Sequence, residues 1–410
     1  MAVRSSPRRV VDNGPGLDAL LASKEMIVVC GSGGTGKTTV AAALGVIAAT
    51  RLGARVLVLT VDPARRLATA LGLVALGNTE VQVDPAALAA ADAVAGGPPR
   101  KHGELWVAML DTKSGWDELV RRHAPDATVR DQVLANPLYK NVTGRFVHSH
   151  DYIAIERLHE LHASGRFDLL VVDTPPSRNA LDLLDAPGRM KEFFGSRLLR
   201  WLTVPYRSRL FTMASKPFYQ VADRILGSRF LQDIAEFFVL FQTMEKGFVR
   251  RAEEVEQLLV DPRTSFVVVS TLEAAPAYEA AHLARELEHR GMHLGAVVLN
   301  RVLPSAFRQP AAAKAARRLR VVADDADFVA GVARSAGAPD DVVSAVLIEV
   351  SDRFQDVAVV ASREAERRGE LERIGALTLA APNLPREITD LEALAQLGVD
   401  LATEATAGPA

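Results

Sequence analysis

The sequence predicts an α/β fold, a mostly parallel sheet flanked by helices and carrying helical insertions. Three observations predict it. Short continuous apolar runs recur along the chain, the mark of strands buried on both faces. A glycine-rich loop and a helix join the first run to the second, which makes a strand–loop–helix–strand unit. The runs end in polar residues, and open α/β sheets bind ligands at the carboxyl ends of their strands.

Met26-Ile27-Val28-Val29-Cys30 is the first of these strands, and the loop after it opens the helix Thr38–Leu52. Val56–Thr60 is the second strand. Five more are expected: Trp106–Leu110 before Asp111, Leu169–Val172 before Asp173, Phe266–Val269 before Ser270, Ala296–Leu299 before Asn300, and Leu377–Ala381 before Pro382. Together they assign residues 25–186 and 262–400 to the core. Residues 187–261, rich in bulky apolar side chains, read as a helical insertion. Residues 305–372, rich in Ala, Arg and Asp, read as a second helical addition, and residues 1–24 and 401–410 as loose ends. Ala86–Pro99 reads as a loop or short helix and linker, and no internal repeat is evident.

Of the 410 residues, 49% are apolar, enough to bury a large core. The formal net charge of −2 argues against a dedicated nucleic-acid binder. Cys30 is the single cysteine, so neither an internal disulfide nor a thiolate metal site within one chain is expected. The apolar stretch Leu17–Ala22 is too short for a signal peptide. The Ala-rich segment Val40–Thr50 suits a buried core helix better than a bilayer span, and a cytoplasmic setting is expected.

Gly31-Ser32-Gly33-Gly34-Thr35-Gly36-Lys37-Thr38 fits the phosphate-loop pattern G-x-x-x-x-G-K-[ST] in its required place, after a strand and opening a helix. Glycines let backbone N–H groups converge on phosphate oxygens, and the helix N-terminus favours the negative charge. Lys37 is the candidate for the β- and γ-phosphates, Thr38 for Mg²⁺, and Thr39 for the α-phosphate. The sheet is therefore expected to be that of a P-loop NTPase.

Asp173, at the end of a buried strand, is a candidate second-site acid that holds water on Mg²⁺, or else a helix cap. Asp62, fixed in extended geometry by Pro63, is a candidate to orient the attacking water, or again a cap.

With Leu59-Thr60-Val61-Asp62-Pro63-Ala64 and Asp173-Thr174-Pro175-Pro176-Ser177, the loop resembles the deviant Walker A ATPases. Asn179–Pro187, Asn300 and Ala381–Ile388 make it similar to the ArsA-type anion-pump and tail-anchored-protein-targeting ATPases. That resemblance implies a Mg²⁺-dependent, dimeric ATPase with ATP at the interface and helical regions holding hydrophobic or membrane-protein cargo. It implies Lys37 on phosphate, Thr38 and Asp173 at the metal, Asp62 at the water, Asn300 on adenine and Pro382 in the adenine-side loop.

This sequence departs from the family pattern in three places. Ser32 stands where the family's loop usually carries a lysine that reaches the partner's ATP, so a pairing with a paralogue that carries it is one expectation. Arsenite-binding cysteines are absent. Arg65 and Arg66 follow Ala64 where small residues or His are usual, and read as surface charges.

Phe230, Ile234, Phe237, Phe238 and Phe241 share one helical face, and Phe193–Leu202 form a second apolar cluster. Inter-helix core and a cargo groove are both open readings of these stripes. Glu156 and His159 make a weak metal-like pair, while Arg250 and Arg251 read as a solvated face. The leading expectation is an ATP hydrolase. The alternatives are a regulatory nucleotide-binding subunit with little turnover of its own, and a membrane-patterning ATPase, against which the long insertion argues.

Overall fold

The computed structural model describes residues 16–60, 66–71, 73, 77–94, 103–110, 112–136, 139, 149–174, 180–195, 245–384 and 386–403. The first part of the chain runs α1 (Leu17–Ser23), β1 (Met26–Gly31), α2 (Lys37–Arg51), β2 (Arg55–Thr60), α3 (Arg66–Ala70), β3 (Val81–Gln82), α4 (Pro85–Val94) and β4 (Glu104–Met109). Helices α5 (Thr112–His123), α6 (Ala127–Ala135) and α7 (Ser149–Ala163) precede β5 (Leu169–Asp173) and α8 (Ala180–Gly195). Next come α9 (Glu245–Val260), β6 (Thr264–Ser270), α10 (Ala274–His289) and β7 (Leu294–Val302). A 3₁₀ turn (Ser305–Arg308), α11 (Pro310–Val322), α12 (Ala326–Ala336), α13 (Asp340–Glu372), β8 (Leu377–Pro382) and α14 (Leu391–Thr403) complete it.

The strands form one eight-stranded sheet in the order β3-β4-β2-β5-β1-β6-β7-β8. Every pairing is parallel except that of β3 with β4. The seven strands read from apolar runs are all present. The eighth, β3, is a two-residue antiparallel edge strand with no apolar run to announce it.

Strand β1 sits between β5 and β6, with Val29 opposite Asp173 and Gly31 opposite Val269. This register brings the loop after Gly31 beside the carboxyl end of β5. Both sheet faces are covered, so β1 is apolar throughout: Met26, Val28 and Cys30 enter one core, and Ile27 and Val29 the other.

Helix α2 lies within the second core, and every residue from Val40 to Thr50 is buried. Small residues allow that depth. A Cβ on Gly45 would lie 2.4 Å from Val58 Cγ2, and one on Gly398 of α14 would lie 2.2 Å from Ile47 Cγ1. Each fully buried Val or Leu in such a core contributes about 1.5–3 kcal/mol, which anchors the helix that carries the phosphate loop.

Two described stretches fall inside the segments read as loose ends. Within residues 1–24, Leu17–Ser23 form α1, and Leu17, Leu20 and Leu21 are buried. Spaced three and four apart, these leucines share one helical face and fill space beside α2 and α14. Leu401 is buried in the last turn of α14, inside the segment read as a loose tail.

Within residues 305–372 the 33-residue α13 packs against α11 and α12. Pro187 lies within α8, and α9 covers the last part of residues 187–261. Phe230–Phe241 and Leu198–Leu202 lie outside the described residues. Among the described residues no helix is long and apolar enough to cross a membrane.

Candidate phosphate-binding site

The loop departs from β1 at Gly31, whose φ of 146° and contacts both require glycine. A Cβ there would lie 2.1 Å from the Val269 carbonyl oxygen of the neighbouring strand. Gly33 and Gly34 are exposed, and Ser32 and Thr35 are buried. Gly36 precedes α2 with φ 94° and offers no side-chain cap, so the first amides of the helix have no partner from that residue's side chain. An anion at that point would meet them together with the positive end of the helix dipole.

The Lys37 ammonium donates to the Ser32 carbonyl at 2.9 Å, and the Thr35 hydroxyl donates to the same oxygen at 2.9 Å. Lys37 therefore curls over its own loop. Its charge is buried where a triphosphate would approach.

Asp173 ends β5, fully buried. Its Oδ2 accepts from the Thr38 hydroxyl at 2.6 Å and from the Thr60 hydroxyl at 2.9 Å. Thr38 and Asp173, 135 residues apart in sequence, are thus brought together by the β1–β5 register. Both are hard oxygen donors beside the candidate phosphate loop, a set that suits Mg²⁺, which keeps several waters and takes one or two protein oxygens. Next to Asp173, the Thr174 hydroxyl donates to the Val29 carbonyl at 2.9 Å and locks the strand end in place.

Asn300 lies in a bulge near the end of β7, where the pairing with β8 shifts register between Leu299 and Val302. Arg301 takes a φ of 58°, unusual for a residue with a side chain, and its amide donates to Asn300 Oδ1 at 3.0 Å. The bulge turns Asn300 onto the loop: its Nδ2 donates to the Thr35 carbonyl at 2.8 Å. A Cβ on Gly36 would lie 2.3 Å from that same nitrogen. Pro382 is exposed at the end of β8 and pairs with Val302, and the Asn383 amide donates to the Val302 carbonyl at 3.0 Å. The segments that carry Asn300 and Pro382 are therefore tied together at one edge of the loop.

Asp62 and Arg65 lie outside the described residues. Sequence reasoning missed the roles of Thr60 and Glu279. Thr60 is a strand-end threonine like many others, recognisable only once β2 pairs with β5. Glu279 is on α10, and its Oε2 accepts a hydrogen bond from the Ser32 hydroxyl. No motif links two positions 247 residues apart.

Three weaker sequence signals resolve into structural roles. Cys30, buried under the loop, donates its thiol to the Val267 carbonyl at 3.7 Å, and burial pushes its pKa up to about 12 against the pull of Lys37. Glu156 is buried against the Arg251 guanidinium at 3.0 Å, and His159 lies 3.1 Å from the same arginine. Arg251 therefore turns inward, which corrects its reading as a solvated charge, while Arg250 is exposed. Among the described residues no group of His, Cys, Asp and Glu could hold a metal ion by itself.

Residues 24–323 match the family model of the anion-transporting ATPases. An uncharacterized protein of Streptomyces coelicolor is 30% identical over 279 residues, which is 68% of this chain and 62% of that protein. A protein of Entamoeba dispar named an ATPase ASNA1 homolog is 25% identical over 283 residues, 68% of this chain and 76% of its own length. The family match covers the loop, Thr60, Asp173 and Asn300 in a single span, and on that basis the chain belongs to the anion-transporting ATPase family.

Proposed function

We propose that this chain hydrolyses ATP with Mg²⁺ and couples turnover to rearrangement of a dimer that handles hydrophobic or membrane-protein cargo in the cytoplasm. The observation that carries the reading is the 2.6 Å contact between Thr38 and Asp173 beside a buried Lys37. Two oxygen ligands and one ammonium group then stand where a nucleotide's metal and phosphates would lie.

In this reading the amides of 33–38 orient the β- and γ-phosphates, and Lys37 leaves the Ser32 carbonyl to pair with them. Thr38 and Asp173 hold the metal and its waters, and Thr60 fixes the Asp173 carboxylate. Mg²⁺, when bound, offsets the negative charge of the phosphates. Asp62 orients or deprotonates the attacking water. Asn300 and Pro382 border the adenine.

A second reading has a specific observation behind it. Ser32 has neither the length nor the charge of a lysine, and its hydroxyl is engaged by Glu279 within the same chain. A symmetric pair would lack a trans cation at both sites. The chain is then the nucleotide-binding regulatory partner of a paralogue that carries the lysine, with little turnover alone.

The test is the steady-state ATPase rate of the purified chain, alone and mixed with a lysine-bearing paralogue, with D62N as control. Substantial turnover by the chain alone, lost in D62N while ATP still binds, supports the hydrolase. Turnover only in the mixture supports the regulatory reading, and none in either arm refutes both.

A further inference from the structure

We propose that Glu279 is a positioning residue for the phosphate loop, acting through Ser32 and resting on the reading of that loop as a nucleotide site. The connection is a short chain of polar contacts. The Glu279 carboxylate accepts from the Ser32 hydroxyl. The Ser32 carbonyl in turn accepts from Lys37 Nζ and from the Thr35 hydroxyl, each at 2.9 Å. One residue therefore joins a carboxylate on α10 to the ammonium group that grips phosphate.

Three features make this contact more than surface decoration. Ser32 is only 7% exposed, so water competes poorly for its hydroxyl. A hydroxyl–carboxylate hydrogen bond is about twice as strong as a neutral one. The anchor is also stiff: α10 is a 16-residue helix packed against β6 and β1, and its Ala277, Ala280, Leu283, Ala284 and Leu287 are buried. The loop's own ties meet at one atom, the Ser32 carbonyl, and Gly34 and Gly36 have no side chains to add others. Glu279 supplies a fixed point just after the strand, from which the amides of 33–37 converge.

The same carboxylate places negative charge beside an anion site, which opposes phosphate binding. The two effects predict opposite outcomes for removing the charge and removing the hydrogen bond. E279Q keeps an acceptor for Ser32 and loses the repulsion, so its nucleotide affinity equals or exceeds wild type. S32A loses the hold on the loop and keeps the repulsion, so it weakens binding by about tenfold; E279A loses both and weakens it less. The double variant S32A/E279A binds no more weakly than either single variant, because both act on one contact.

The experiment titrates Mg²⁺ and methylanthraniloyl-ADP into the wild-type chain and these four variants. Melting curves without nucleotide check the fold, and hydrogen exchange follows the loop amides. Faster exchange at 32–36 in E279A and S32A, but not in E279Q, is expected. If E279A does not fold, S32A and E279Q still decide the matter. Wild-type affinity in S32A, additive losses in the double variant, or an E279Q as weak as E279A would overturn the role of Glu279. Failure of the wild-type chain to bind the probe would instead overturn the nucleotide-site reading on which the proposal rests.

Discussion

Substituting Gly36 by alanine strikes the site where two constraints coincide, and the structure gives each a size. Gly36 has a φ of 94°, and a left-handed backbone costs an L-residue about 1–2 kcal/mol. An added Cβ would sit 2.3 Å from Asn300 Nδ2, so the asparagine must swing away and lose its 2.8 Å bond to the Thr35 carbonyl. A hydrogen bond of that kind contributes about 1 kcal/mol. The sum, about 2–3 kcal/mol, corresponds to a roughly 30- to 150-fold loss of nucleotide affinity if the loop pays it on binding. The assay is Mg·ADP titration calorimetry on wild type, G36A, N300A and G36A/N300A. In the N300A background the clash is gone and only the dihedral strain remains, so the penalty for alanine at 36 should shrink by about fivefold. G36A with wild-type affinity, or the same penalty in both backgrounds, would refute the reasoning.

Other consequences follow from buried groups. Cys30 should resist alkylation by iodoacetamide at pH 8 in the native protein and react only on unfolding, because its thiol is enclosed and its pKa is raised to about 12; rapid labelling of the folded chain would show that β1 is open. His159 and His293 have lowered pKa values, first from burial and then from Arg251 and Lys24 respectively. A base held neutral by the fold binds fewer protons than in the unfolded chain. Its contribution to stability is therefore complete above the ordinary histidine pKa of about 6.5, and is lost as pH falls through the lowered folded value. Urea melts should show lower stability at pH 5.5 than at pH 7.5, with a smaller drop in H159Q and H293Q; an unchanged drop in both variants would contradict this. T38V and D173N should each abolish the Mg²⁺ dependence of nucleotide binding while leaving the melting temperature within a few degrees, and Mg²⁺-dependent binding in either would remove the metal assignment.

The sheet was legible because its strands are buried on both faces. Runs such as Leu169–Val172 and Phe266–Val269 have no polar alternation to confuse them with loops. The candidate phosphate loop could be proposed from sequence because its pattern is local: eight consecutive residues carry the glycines, the lysine and the threonine. Asp173 is expected at the end of a buried strand, and it ends β5.

What stayed hidden depends on register and packing. Thr60 matters because β2 lies beside β5, and the side-chain amide of Asn300 reaches Thr35 because a bulge in β7 aims it there. Val81–Gln82 are too few to show a period. Leu17, Leu20 and Leu21 look like part of a polar tail until α2 and α14 supply the surface they cover. Arg251 reads as a surface charge until α9 brings it to Glu156.

The central claim is that the loop from Gly31 to Thr38 grips a nucleotide's phosphates through its amides and Lys37. Calorimetric titration of Mg·ADP into the wild-type chain and into K37A tests it most directly. One nucleotide per wild-type chain, with uptake lost in a K37A variant that melts like wild type, is the predicted result. A folded wild-type chain that takes up no nucleotide, or a K37A chain that binds as tightly, would contradict the account.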